Sequence, residues 1–175
     1  MKTIKKAGIV LTMALVTILS SCGGSDDNGG GGSGSGGFVK AKVDGASFAA
    51  SGQLVMGQIA EGNFSMQGVT TAGTSIVINV FAYDGTLETG VYNLSAASNN
   101  DNYTGSVSYN IVSGTTATVY NSLGCDTGIG SVEITFIDAT KIEGKFSFNA
   151  KNTETCQGAA KNVTAGTFRC LLTAN

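Results

Sequence analysis

From Phe38 onward apolar and polar residues alternate over short runs, and glycine or asparagine clusters interrupt them at nearly even spacing. This is the two-residue period of half-buried β-strands, and helical spacing is absent. Val39-Lys40-Ala41-Lys42-Val43 alternates cleanly, Asp44-Gly45 is the dipeptide that tolerates positive φ in a type I′ turn, and Phe48-Ala49-Ala50 continues beyond it. That is a first hairpin. Further strands are predicted at 54–60, 64–70 across Glu61-Gly62, 75–83, 90–94, 106–112, 117–121, 131–137, 142–150 and 163–172. About ten short strands with tight connections predict an all-β fold, an antiparallel β-sandwich or else a flattened up-and-down β-barrel.

Two stretches carry more detail. In 75–83, Ile76, Ile78 and Val80 point one way and Val77, Phe81 and Tyr83 the other. Such a strand is either central and covered on both faces, which is the expectation here, or partly exposed for a ligand. In 131–150, Val132, Ile134 and Phe136 share a face and Phe146, Phe148 and Ala150 are placed to pair with them across Asp138-Ala139-Thr140-Lys141. Pairing Ile134 with Phe148 and extending that register outward brings Cys125 level with Gln157, one place from Cys156.

The residues before this domain have another character. Met1-Lys2-Thr3-Ile4-Lys5-Lys6 is a positive n-region and 7–19 is an apolar run too short to span a bilayer, which takes about 20 residues. It closes on Leu19-Ser20-Ser21-Cys22, which resembles the lipobox of bacterial lipoproteins. That resemblance implies a signal peptide over 1–21, a diacylglyceryl group (with palmitate-type chains) on the Cys22 thiol, and cleavage before Cys22. Each buried methylene contributes about 0.8 kcal/mol, so two or three chains anchor durably where one does not. Residues 23–37 hold nine glycines and three serines in fifteen positions, a flexible tether with a reach of roughly 20–23 Å. The glycine fingerprints Gly29-Gly31-Gly34 and Gly32-Gly34-Gly37 follow no strand and open no helix, so they are accidents of composition. Ser25-Asp26-Asp27 resembles the surface-export signal placed after the lipidated cysteine in lipoproteins of Bacteroidota-type bacteria. The predicted location is the outer membrane, on its outward face, with the periplasmic face as the alternative. One β-domain, 38–175, remains.

Composition narrows the chemistry. The 175 residues include no His, Pro or Trp. Without histidine the Ser-His-Asp and Cys-His nucleophile systems and imidazole metal sites are excluded. Formal net charge is −2, and loss of Lys2, Lys5 and Lys6 with the signal leaves seven basic against twelve acidic residues, or −5. That balance gives no basic surface for a nucleic acid. No cofactor is implied.

Once Cys22 is lipidated, Cys125, Cys156 and Cys170 remain in a compartment that permits disulfides. Cys170 follows Phe168 at strand spacing and is expected to face inward as a small hydrophobe. Cys125 and Cys156 are therefore the expected pair; a Cys156–Cys170 link is the competing arrangement. Asn99-Asn100-Asp101-Asn102 offers oxygen ligands but lacks the spacing of a calcium loop, and reads as a solvated turn. No catalytic carboxylate pair can be identified. The tyrosines Tyr83, Tyr92, Tyr103, Tyr109 and Tyr120 are candidates for a sugar-stacking platform, although tyrosine on strands more often packs at a core or rim.

Val43-Asp44-Gly45-Ala46-Ser47-Phe48, Thr89-Gly90-Val91-Tyr92-Asn93-Leu94, and Gly144-Lys145-Phe146-Ser147-Phe148-Asn149-Ala150 with Gly166-Thr167-Phe168 are similar to a family of single-domain Bacteroidota lipoproteins of unknown function. The resemblance supplies no catalytic residues. The resulting expectation is a lipid-anchored, non-catalytic binding or adhesion module with an envelope protein or glycan as partner. The alternative is a structural accessory subunit docked through a sheet edge or the Val77, Phe81, Tyr83 face. A concave, tyrosine-lined pocket favours the first and a flat apolar patch the second.

Overall fold

The computed structural model describes residues 36–97 and 101–172. The signal peptide expected over 1–21, Cys22 and the Ser25-Asp26-Asp27 segment lie outside the described residues.

Among the described residues eleven strands form: β1 (Phe38–Val43), β2 (Ala46–Ser51), β3 (Val55–Ala60), β4 (Asn63–Val69), β5 (Thr74–Ala82), β6 (Gly90–Asn93), β7 (Tyr103–Ser113), β8 (Thr116–Asn121), β9 (Ile129–Ile137), β10 (Lys141–Ala150) and β11 (Lys161–Leu171). They make two antiparallel sheets, one ordered β2-β1-β11-β10-β9-β6 and the other β3-β4-β5-β7-β8. The sheets do not close on each other, so the sandwich and not the barrel is observed. Local chemistry drives the hairpins. Asp44 and Gly45 take φ of 50° and 83°, and Glu61 and Gly62 take 47° and 75°, so both tight turns have the positive φ at two positions that a type I′ turn requires.

Alternating inward residues of both sheets build one core. Phe64 of β4 stacks on Phe168 of β11 with ring centroids 5.8 Å apart, and Met66, Ile76, Ile78, Ile134 and Ile142 are fully buried around them. Contact between the sheets is close: a Cβ on Gly57 would strike the Cys170 sulfur, and one on Gly68 would strike Val39.

The structure corrects three expectations. Ile134 pairs with Gly144, not with Phe148, whose partner is Gly130. The Asp138 amide bonds the Lys141 carbonyl (3.0 Å), which closes the turn more tightly than an Ile134–Phe148 register allows, and beyond the irregularity in the ladder the partner of Ile134 lies four residues earlier. Because the slip is an even number, the inward faces survive it. Phe136, in contrast, lies outside, 39% exposed, because an irregularity at Glu143/Gly144 sets it opposite Glu143 on the outer face. Finally, β5 is central but not covered twice. Ile76, Ile78 and Val80 are buried, whereas Val77 and Phe81 are half-buried on an open outer face and Tyr83 is 54% exposed.

Candidate functional site

At one end of the sandwich a groove of about 640 Å³ opens between the β1–β2 turn and the β4–β5 turn. Phe48 and Tyr109 give it an aromatic wall, with their rings edge to face at 6.3 Å, and Tyr109 in turn lies 6.4 Å from Tyr120. Register explains the cluster. Tyr109 on β7 stands directly opposite Tyr120 on β8, and both point inward at the end of the core where no strand of the first sheet covers them completely. Neither hydroxyl has a protein partner among the described residues.

The rim is polar. Asp44 accepts a hydrogen bond from the Lys161 ammonium (2.7 Å) through one carboxylate oxygen and from the Asn162 amide (2.9 Å) through the other, which staples the first turn to the start of β11. The Asn162 amide and the Lys161 ammonium hold the Asp44 carboxyl below its ordinary range, and Asp44 in turn raises Lys161. Lys161 also lies 5.9 Å above the Tyr120 ring. Across the groove, the Thr70 and Thr74 hydroxyls bond each other at 2.7 Å. The two rim charges cancel, so the groove offers aromatic surface, hydroxyls and one satisfied ion pair. Sequence reading took Asp44 only as a turn residue and did not single out Lys161, 117 positions away; no local signal links them.

Cys125 and Cys156 come together with Cα atoms 5.3 Å apart and their sulfurs at bonding distance. They meet by a different route from the one the hairpin register suggested. The segment after β10 folds onto β8: Asn152 bridges Tyr120, and the Thr153 amide donates to the Val119 carbonyl (2.9 Å). Both cysteines then take left-handed φ, 60° and 53°, to turn toward each other. Cys170 is buried and unpaired, and burial pushes its thiol up to about 11.

The five tyrosines do not converge. Tyr92 is the buried residue of β6, where its hydroxyl donates to the Glu88 carbonyl (2.8 Å) and accepts from the Glu88 amide (3.1 Å), and burial raises its pKa. The Tyr103 hydroxyl accepts from the Asn93 amide (3.0 Å), with the Tyr92 and Tyr103 rings 5.0 Å apart. Tyr83 stands apart on the outer face of the second sheet. Among the tyrosines that face the core, Tyr109 and Tyr120 are the two whose hydroxyls have no protein partner among the described residues. Asp101 and Asn102 are exposed in the turn before β7, while Asn99 and Asn100 lie outside the described residues.

Residues 36–170 match the family model described as Domain of unknown function (DUF6252), and the chain belongs to that family. No curated protein and no solved structure matches it.

Proposed function

We propose that this member of the DUF6252 family is a lipid-anchored, non-catalytic binding module of the outer membrane, displayed on its outward face, that takes its ligand in the groove beside Tyr109. The lipobox at Cys22 and the acidic Ser25-Asp26-Asp27 support the anchor and the location. The observation that carries the binding reading is the concave groove itself, with an aromatic wall and a hydroxyl-bearing rim. Its single acid and single base neutralise each other, which suits gripping a ligand and leaves no poised proton donor or acceptor. The outer face of β5 is interrupted by Ser65, Asn79 and Ser106 in one row and Gln67 and Ser108 in the next, so it is not an apolar patch.

The test is a photo-crosslinking amino acid placed at Tyr109 or at Tyr83 and activated on intact cells. Adducts at position 109 that position 83 does not give support the groove. Adducts from 83 alone overturn it and favour the accessory subunit docked on the sheet.

A further inference from the structure

Six of the seven positive charges of the domain lie on one sheet. Between Lys42 and Lys141 there is no Lys or Arg, and the five strands of the second sheet contain no charged residue of either sign. All seven basic residues lie on β1, β10 and β11 or at Lys151, just past β10. Five of them, Lys40, Lys42, Lys141, Lys145 and Arg169, alternate with buried neighbours and so project from the outer face of three adjacent strands.

The registers set these side chains in rows across that face. Phe38, Arg169, Glu143 and Phe136 are successive partners on β1, β11, β10 and β9, and Lys40, Thr167, Lys145 and Glu133 form the neighbouring row. Two acids sit among the five cations. Glu143 is held by Lys141 and Arg169, each at 2.8 Å, and Glu133 by Lys145 at 3.5 Å. The face therefore keeps a surplus of three positive charges, carried outermost by the exposed Lys40, Lys42 and Lys145. The rest of the domain has eight acids and two bases. Phe38 and Phe136 flank the charges: Lys40 and Arg169 each lie 5.4 Å from the Phe38 ring, and Lys141 lies 4.5 Å from the Phe136 ring. Aromatic rings beside lysines are what a membrane–water interface accepts.

We infer that the outer face of β1, β11 and β10 is a second membrane contact, which rests flat on an anionic, phosphate-bearing bilayer surface while the acidic remainder of the domain is repelled from it. Two features choose this occupant. A surplus of lysines complements headgroup phosphates within a Debye length of about 8–10 Å. The glycine-rich run of 23–37 also joins the fold at Phe38, on this same face, so an anchor at Cys22 delivers the face to the membrane at high local concentration. The inference rests on the lipid anchor proposed above. Its consequence is orientation: the uncharged second sheet looks away from the membrane.

The experiment uses the mature lipidated protein, reconstituted into vesicles of phosphatidylcholine alone or with about 30% phosphatidylglycerol. Each sample is floated and then treated with an amine-acylating reagent, and modification is read by mass spectrometry. Lys40, Lys42 and Lys145 should be acylated roughly threefold or more slowly on the anionic vesicles, Lys151 should not change, and about 0.5 M salt should abolish the difference. Co-flotation with both vesicles but equal acylation of the three lysines overturns the contact and leaves the anchor standing. Failure to co-float with neutral vesicles removes the anchor. In that case co-flotation with anionic vesicles alone, with the three lysines protected, sustains the contact, and its absence overturns that too.

Discussion

Gly144 on β10 stands directly opposite Phe168 on β11, and two residues along Phe146 stands opposite Gly166, so each ring lies across a glycine on the facing strand. A Cβ on Gly144 would meet the Phe168 ring and the Glu133 carbonyl, and one on Gly166 would meet the Phe146 ring and its carbonyl. Both glycines are buried and both make room for an aromatic ring. Gly144→Ala and Gly166→Ala should each destabilise by roughly 1–3 kcal/mol through overpacking. Thermal melts followed by circular dichroism check this, and an unchanged Tm for either variant would show that ring and backbone are not in contact.

The Cys125–Cys156 link closes 31 positions of chain. Chain entropy assigns such a loop roughly 3.7 kcal/mol. Cys125→Ser and Cys156→Ser should lower stability by the same amount, with no further loss in the double variant, because both singles break one bond. Non-reducing peptide mapping should find this link, with Cys170 alkylated only after denaturation. Additive losses, or a Cys156–Cys170 peptide, would refute the pairing.

Acid should weaken the domain and neutral pH should not. The carboxyls of Asp44, Asp138 and Glu143 are all held below their ordinary values of 3.8, 3.8 and 4.5: by the Asn162 amide and Lys161, by the Thr140 hydroxyl and nearby amides, and by Lys141 and Arg169. A carboxyl lowered in the folded state contributes stability that is present above its unfolded pKa and is lost as pH falls through the folded one. Urea midpoints should therefore be flat between about pH 5 and 8, where a chain without histidine has no unperturbed side chain to titrate, and should fall below about pH 4. In Asp44→Asn the acid loss should shrink; an identical profile would mean that the Asp44–Lys161 pair does not bear on stability.

The anchor has its own test. Cys22→Ala should accumulate as an uncleaved precursor that no palmitate analogue labels, and unchanged labelling would remove the lipoprotein reading. Asp26→Ala with Asp27→Ala should reduce protease access on whole cells at constant total protein. Equal access would place the export signal elsewhere.

The alternation of side chains and the turn dipeptides determined the strands, because a two-residue period and positive φ at Asp44-Gly45 are local properties of the chain. They also determined the inward face of β11, including that of Cys170, and of β9 and β10 up to the irregularity before Phe136, since an even register slip leaves faces unchanged. The register of β9 against β10 was not legible: several slips bury the same apolar residues, and only the Asp138–Lys141 turn and the fit of Phe168 over Gly144 choose between them. The exposure of Phe136 was illegible for the same reason, because a single irregularity in the ladder reverses one side chain. Pairing of Asp44 with Lys161, and of Tyr109 with Phe48, needed the tertiary structure outright. Each joins residues far apart in sequence: Asp44 meets Lys161 because β1 pairs with β11 within the first sheet, and Phe48 meets Tyr109 where the second sheet stacks on the first. The clustering of six of the domain's seven cations on β1, β10 and β11 was present in the sequence as a gap between Lys42 and Lys141, but only the strand order that sets these three side by side makes it a face.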